Sequence, residues 1–216
     1  MVAIGALVAC TGQAAPPTGG DAVTIVDLPA PRTDGSFSLE EILGERRSVR
    51  AFTGEALELA ELGQLLWATQ GITAEWGGRT APSAGALYPL EVYVATADGL
   101  SHYLPEGHRA QRVSGADLRA GLADAAYDQT AVRDAPAVFV IAAVYERTAV
   151  RYAERAERYV HLEAGHVAQN LLLQAVALGL GGVPVGAFCD DEVARVLDLG
   201  SDEVPLYLIP MGHPAE

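Results

Sequence analysis

From Val167 to Leu180 the chain is apolar on nearly every side of a helical projection, and this segment limits the possible folds most. A helix with one polar stripe can lie on a surface, but one without such a stripe has to be covered all round. The helical pattern starts near Thr148 and runs to Leu178, with a break expected near Glu157, and Gly179, Gly181 and Gly182 stop it. Its second half is therefore expected to be a central, fully buried helix. Just before it, the β-branched run Ala137 to Val144 reads as a central strand buried on both faces. A chain of 216 residues, half of them apolar, can bury one such core.

The remaining elements arrange themselves around this pair. Ser38-Leu39-Glu40-Glu41 has the pattern of a capping box and opens a short helix. A second helix fits Leu57 to Thr69, with Leu59, Leu62, Leu65 and Leu66 on one face and Gly71 at its end. A loop rich in Gly, Pro and Ser spans Trp76 to Pro89. Glu91 to Thr96 alternates as a strand, and Ala97-Asp98-Gly99 turns it back into Ser101 to Leu104. A helix is expected from Ser114 to Ala126, a short strand or loop from Val183 to Phe188, a helix from Asp190 to Leu197 and a last strand from Val204 to Pro210. Helices and strands interleave, yet hairpins are present, so the class is α+β and not a doubly wound parallel sheet. Residues 1–35 read as a signal and flexible linker, and 36–216 as one folded domain.

Charge narrows the function. The net charge is -14, and all 14 basic residues are arginines. An acidic surface argues against nucleic acid as a partner. With no lysine, the chain has no lysine Schiff base and no P-loop of the usual kind. Two cysteines, Cys10 and Cys189, cannot form a structural zinc site alone. Leu7-Val8-Ala9-Cys10 follows an apolar run and resembles a bacterial lipoprotein signal, with a Pro/Gly/Thr-rich tether after it. That implies a cell-envelope protein anchored through a lipidated Cys10. No basic residue precedes the run, so a cytoplasmic protein with an apolar N-terminus is the alternative.

Three segments carry candidate chemistry. In Arg46-Arg47-Ser48-Val49-Arg50-Ala51-Phe52, three guanidiniums and a hydroxyl can surround a phosphate with charge-assisted hydrogen bonds. A solvated charged turn is the bland reading. In Pro82-Ser83-Ala84-Gly85-Ala86-Leu87-Tyr88-Pro89, small residues let backbone approach a flat ligand and Ser83 offers a hydroxyl. Gly179-Leu180-Gly181-Gly182-Val183-Pro184-Val185-Gly186 is by itself only a helix stop; its glycines end a helix and so cannot be a dinucleotide fingerprint. Glu163 and His166 have Glu-x-x-His spacing, but a di-iron bundle needs two such motifs, so no metal is expected. These residues, with Gln169 and Asn170, are expected to pack the central helix as polar groups.

Taken together and in this order, the three segments resemble the nitroreductase family, and Pro-Ser-Ala-Gly-Ala-Leu-Tyr-Pro resembles its SagB-type dehydrogenase branch almost residue for residue. The resemblance covers roughly residues 38 to 214. It implies a three-layer α+β fold with a mostly antiparallel sheet flanked by helices, and a homodimer with FMN at the interface, contacted by both chains. It assigns Arg46, Arg47, Ser48 and Arg50 to the FMN phosphate and ribityl chain, and Pro82, Ser83 and Gly85 to the isoalloxazine ring. Backbone at Gly182, Val185 and Gly186 is assigned to the flavin N5/O4 edge. Relatives usually end in Pro-x-Gly-Arg-Pro, with the arginine on the phosphate; here His213 takes that place.

The resemblance further implies an oxidoreductase that cycles flavin between a donor such as NADH or NADPH and a small organic acceptor. Relatives in the SagB-type branch oxidise thiazolines and oxazolines during peptide maturation and often carry Lys-Tyr where this chain has Arg151-Tyr152. Tyr152 is the candidate catalytic residue that survives, because arginine stays protonated and cannot act as a base. A non-catalytic flavin- or ligand-binding module is the alternative of another class.

Overall fold

The computed structural model describes residues 24–215. Cys10 and the signal-like segment around it lie outside the described residues.

The chain opens with strand β1 (Thr24–Asp27) and helix α1 (Leu39–Glu45). Ser38 caps α1 and forms the expected capping box: its hydroxyl accepts from the Glu41 amide while the Glu41 carboxylate accepts from the Ser38 amide. Helix α2 (Leu59–Gln70) follows and stops at Gly71, where an added Cβ would collide with Trp67. Three strands come next, β2 (Leu90–Thr96), β3 (Gly99–Leu104) and β4 (Arg109–Ser114). Helices α3 (Arg119–Ala125) and α4 (Thr130–Arg133) lead to β5 (Ala137–Val144). Then come α5 (Tyr145–Tyr152), α6 (Ala156–Ala177), the two-residue strand β6 (Gly181–Gly182), α7 (Asp190–Leu197) and β7 (Glu203–Gly212).

The strands form one seven-stranded sheet in the order β1-β4-β3-β2-β5-β7-β6, and every strand pair is antiparallel. Side chains of a strand alternate between its two faces, and here the alternation divides two cores. Val92, Val94, Phe139, Ile141, Ile209 and Met211 meet Leu65 and Leu66 of α2 and Val160, Val167 and Leu171 of α6. Tyr93, Ala95, Val138, Val140 and Leu208 meet Leu122, Val132, Val193 and Leu197 from α3, α4 and α7. The result is helix, sheet, helix: three layers, with β5 buried at every residue in the middle.

Four sequence expectations need correction. Thr24–Asp27 is an edge strand paired with β4, Leu28 is buried, and the Arg32 amide donates to Gln64, so the fold starts well before residue 36. The stretch expected to begin a helix at Ser114 instead ends β4, whose polar Arg-x-Gln-Arg pattern hid an exposed hairpin strand; the helix starts at Arg119. The break in the long helix lies at Ala153–Arg155, before Glu157, where Ala153 adopts φ +45°. Finally, the described residues do not cover α6 all round. Val167, Leu171, Leu172 and Ala175 are buried, whereas Leu173, Val176, Ala177 and Leu178 are only half-buried. Leu173 and Ala177 line an open groove with Leu39, Ile42 and Trp67.

Candidate functional site

The arginine-rich segment lies directly after α1 as extended chain. It is pinned by hydrogen bonds from the Val49 amide to the Gly182 carbonyl (3.0 Å), from the Thr53 amide to the His213 carbonyl (3.0 Å) and from the Ala215 amide to the Ala51 carbonyl (3.0 Å). This brings the first segment, the glycine segment and the C-terminus together at the β6 end of the sheet. Two glycines make the approach possible. A Cβ on Gly181 would sit 2.5 Å from Val49 Cγ2, and one on Gly182 2.8 Å from the Pro210 carbonyl oxygen.

Among the described residues no ion pair engages Arg46, Arg47 or Arg50; Arg47 Nη1 only donates to the Arg46 carbonyl (2.7 Å). Three unneutralised guanidiniums in a chain of net charge -14 form a place for an anion. Of the three, Arg50 lines a cleft of about 430 Å³ with Gln129, Thr130, Ala131 and Val183–Ala187. Gln129 and Thr130 carried no signal in the sequence, since they reach the cleft only through the packing of α4. Within the glycine segment the Val185 amide is already spent on the Leu208 carbonyl (2.8 Å). It therefore cannot serve a ligand, which leaves the exposed Gly186 amide for that role. His213 Nε2 faces Glu61 Oε1 at 3.9 Å, so a carboxylate lies beside the histidine that the resemblance set at the phosphate.

The second segment, the loop from Arg79 to Pro89, lies elsewhere. Arg79 is its organiser, although the sequence did not single it out. Its guanidinium lies over the Tyr88 ring at 4.3 Å, its Nη1 donates to Gln70 Oε1 (3.2 Å), and its amide donates to Tyr88 Oη (3.2 Å). The Tyr88 amide donates to Ser83 Oγ (2.9 Å), and Asn170 Nδ2 donates to the Thr80 carbonyl (3.2 Å). Arg147 of α5 ties the far end down by donating to the Tyr88 carbonyl (3.3 Å) and pairing with Glu91. Burial pushes the Glu91 carboxyl up, but His102, at 2.7 Å, and Arg147 outweigh it and hold the group below the usual range. Gly85, at φ +65°, is exposed; a Cβ there would lie 2.9 Å from Tyr152 Oη and 3.0 Å from Arg151 Nη1. Tyr152 in turn meets Tyr159 edge-on at 5.1 Å.

Beneath this loop is Glu163, only 3% exposed, and burial pushes its carboxyl up to about 7 against the opposing pull of Ser83, Gln70 and Arg79. His166, one turn further along α6, points outward and is exposed. Ser83 therefore sits over Glu163, in the N-terminal half of α6, while Gly181 follows the C-terminal end of the same helix. At 1.5 Å per residue, about 20 Å of helix separates Glu163 from Ala177. Within one chain, Arg46, Arg47, Ser48, Arg50, Gly182, Val185, Gly186 and His213 come together; Pro82, Ser83, Gly85 and Tyr152 form a separate group.

A family model described as the nitroreductase family matches residues 43–213. The chain belongs to the nitroreductase family. A protein of Methanocaldococcus jannaschii named as a nitroreductase is 47% identical over 186 residues, covering 83% of this chain and 93% of the relative. A crystal structure from Ralstonia eutropha, also named as a nitroreductase, superposes with a TM-score of 0.83 at 32% identity, covering 95% of this chain and 97% of that one. The trifolitoxin-processing protein of Rhizobium leguminosarum is 32% identical over 139 residues, which is 59% of this chain but only 37% of that protein. The architecture of this family member is thus the α+β, helix-flanked antiparallel sheet that the resemblance implied, and its family is one of oxidoreductases.

Proposed function

We propose that this chain is an FMN-dependent oxidoreductase that acts as a homodimer, taking electrons from NADH, NADPH or another donor and passing them to a small organic acceptor. The observation that carries the reading is Arg50 lining the cleft with Val183–Ala187, close in the chain to Arg46 and Arg47, all three without a carboxylate partner among the described residues. The residues present fit FMN: Arg46, Arg47, Ser48 and Arg50 would hold its phosphate and ribityl chain, and the Gly186 amide would meet the ring edge. His213 contributes less than an arginine would, because Glu61 competes for it.

When bound, FMN supplies the hydride chemistry; the protein binds, orients and shields it. The separation along α6 means that the loop of Pro82, Ser83 and Gly85 would cover the ring held by a second copy. The half-covered stripe of α6, with the exposed Leu39 of α1 lining the same groove, supports such a pairing.

A second reading, azoline dehydrogenation, is favoured by the likeness to a trifolitoxin-processing protein and by Tyr152 Oη lying over Gly85. Arginine cannot act as a base, so with Arg151 beside Tyr152 that reading lacks its base. Anchorage through Cys10 belongs to the proposal as well and is read from partition of the full-length protein into detergent. The deciding experiment is the visible spectrum of the purified protein before and after anaerobic NADH or NADPH. Flavin bands that bleach support the reductase; bands that persist move the assignment to the dehydrogenase or to a binding module. A colourless protein that takes up no added FMN rejects the proposal.

A further inference from the structure

Arg151 and Arg155 form a second group of guanidiniums without carboxylates, at the break between α5 and α6. Both are exposed, and among the described residues no ion pair engages them. Glu146, Glu154 and Glu157 stand in the same stretch of a chain with 28 acidic residues against 14 basic ones, yet none of them is a partner. Tyrosines hold the two arginines instead. The Arg151 guanidinium lies over the Tyr152 ring at 5.5 Å and that of Arg155 over the Tyr159 ring at 5.2 Å. Arg155 Nε also donates to Tyr159 Oη (3.0 Å), and the two rings meet edge-on at 5.1 Å. The four side chains thus make one array, and it ends over the exposed Gly85. The point where a Cβ of Gly85 would lie is 2.9 Å from Tyr152 Oη and 3.0 Å from Arg151 Nη1. Two hydrogen-bond donors converge there over bare backbone, and neither has an acceptor among the described residues.

Resting on the reading that this loop covers flavin, we propose that Arg151 and Tyr152, backed by Arg155 and Tyr159, bind a carboxylate of the organic substrate and make the chain selective for small acids. A carboxylate offers two oxygens, one for each of the converging donors. A guanidinium stacked on a ring and aimed with a hydroxyl at one spot has lost less freedom to gain by binding than a loose surface arginine, so it is preorganised for an anion. Arg155 adds a second positive charge and fixes Tyr159 against Tyr152. The residue that cannot serve as a base is suited to this role, because it keeps its charge wherever a carboxylic acid is ionised. A phosphate of the nicotinamide donor is the other source of an anion, and the test separates the two.

The probes are 4-nitrobenzoate and its uncharged counterpart 4-nitrobenzamide, which share the ring and the nitro group. Each is titrated by calorimetry into the oxidised, FMN-loaded protein near neutrality, with no electron donor present. Wild type should bind the acid roughly tenfold or more tighter than the amide, the worth of charge-assisted hydrogen bonds. Arg151→Gln should abolish that preference and Arg151→Lys should keep part of it. Tyr152→Phe should reduce it roughly two- to tenfold, as loss of one hydrogen bond does. Equal binding of acid and amide by wild type, or a preference that survives Arg151→Gln, overturns the proposal. Anaerobic reduction of the bound flavin by NADH and NADPH reads the other source. If Arg151→Gln weakens the donor roughly tenfold and spares the preference for the acid, the anion is the donor's phosphate and the proposal falls. The same titrations on flavin-free protein keep the two readings apart. A chain that takes up no FMN yet prefers the acid through Arg151 overturns the flavin reading alone.

Discussion

Glu163 leaves a mark on stability. Its folded-state pKa, about 7, lies above the ordinary value of 4.5, so the native state binds a proton that the unfolded chain releases. The sign follows from linkage: the contribution is fully present below about pH 4.5 and is lost as pH rises through about 7. Glu163→Gln removes the penalty. Denaturant unfolding should find the variant about 2–3 kcal/mol more stable than wild type at about pH 8, with little difference at about pH 4.5. Glu91 has the opposite sign. Its lowered pKa stabilises the fold above the unfolded-state value, and that part is lost on acidification below it. At the anion cluster, Arg50→Ala should weaken FMN roughly tenfold or more in a fluorescence titration, since hydrogen bonds to charged groups are worth about 1.5–3 kcal/mol. His213→Arg should tighten it, provided the new guanidinium turns to the phosphate and not to Glu61, which lies 3.9 Å from His213.

At the scale of elements, the parts that could be read from sequence were those whose pattern and environment agree. The strand Ala137–Val144 and the helix Asp190–Leu197 lie where periodicity put them, because a β-branched run between two sheet neighbours and a short amphipathic helix each have one way to bury their apolar side. The capping box at Ser38 is similarly local. β4 was missed because an exposed hairpin strand needs no apolar face, and β1 because its partner is that same strand. The arginine and glycine segments could be found as motifs, but Gln70, Arg79 and Gln129 enter their sites only through tertiary packing. The helix break was placed a few residues late, since Ala153 is an ordinary helix former held by its context at φ +45°, ψ -124°. A non-glycine residue with positive φ is strained by about 1–2 kcal/mol. Ala153→Gly, at an exposed position, should therefore raise the denaturation midpoint by about 1 kcal/mol equivalent while leaving the circular dichroism spectrum unchanged.

For the whole molecule, the question is where the two halves of the proposed flavin site meet. Leu173 and Ala177 are apolar yet face an open groove beside Leu39, Ile42 and Trp67, as would be expected if a second copy completes the cover of α6. Leu173→Glu should then give a folded monomer by light scattering that has lost FMN. Complementation discriminates more sharply. An Arg46→Ala/Arg50→Ala chain damages the anion cluster only. A Gly85→Trp chain blocks the exposed loop and displaces the ends of Tyr152 and Arg151, which its Cβ would meet at 2.9 and 3.0 Å, at a local cost of about 1–2 kcal/mol for its left-handed backbone. Each homodimer should be nearly colourless. If the ring is shared between copies, a heterodimer made by co-expression with two different tags has one site carrying both defects and one carrying neither. It should hold about half the wild-type flavin per chain. If each chain holds its own flavin, every site in the heterodimer keeps one defect and the mixture stays colourless. Recovery of half the flavin would also explain why about 20 Å of α6 separates two groups of residues that serve one ligand.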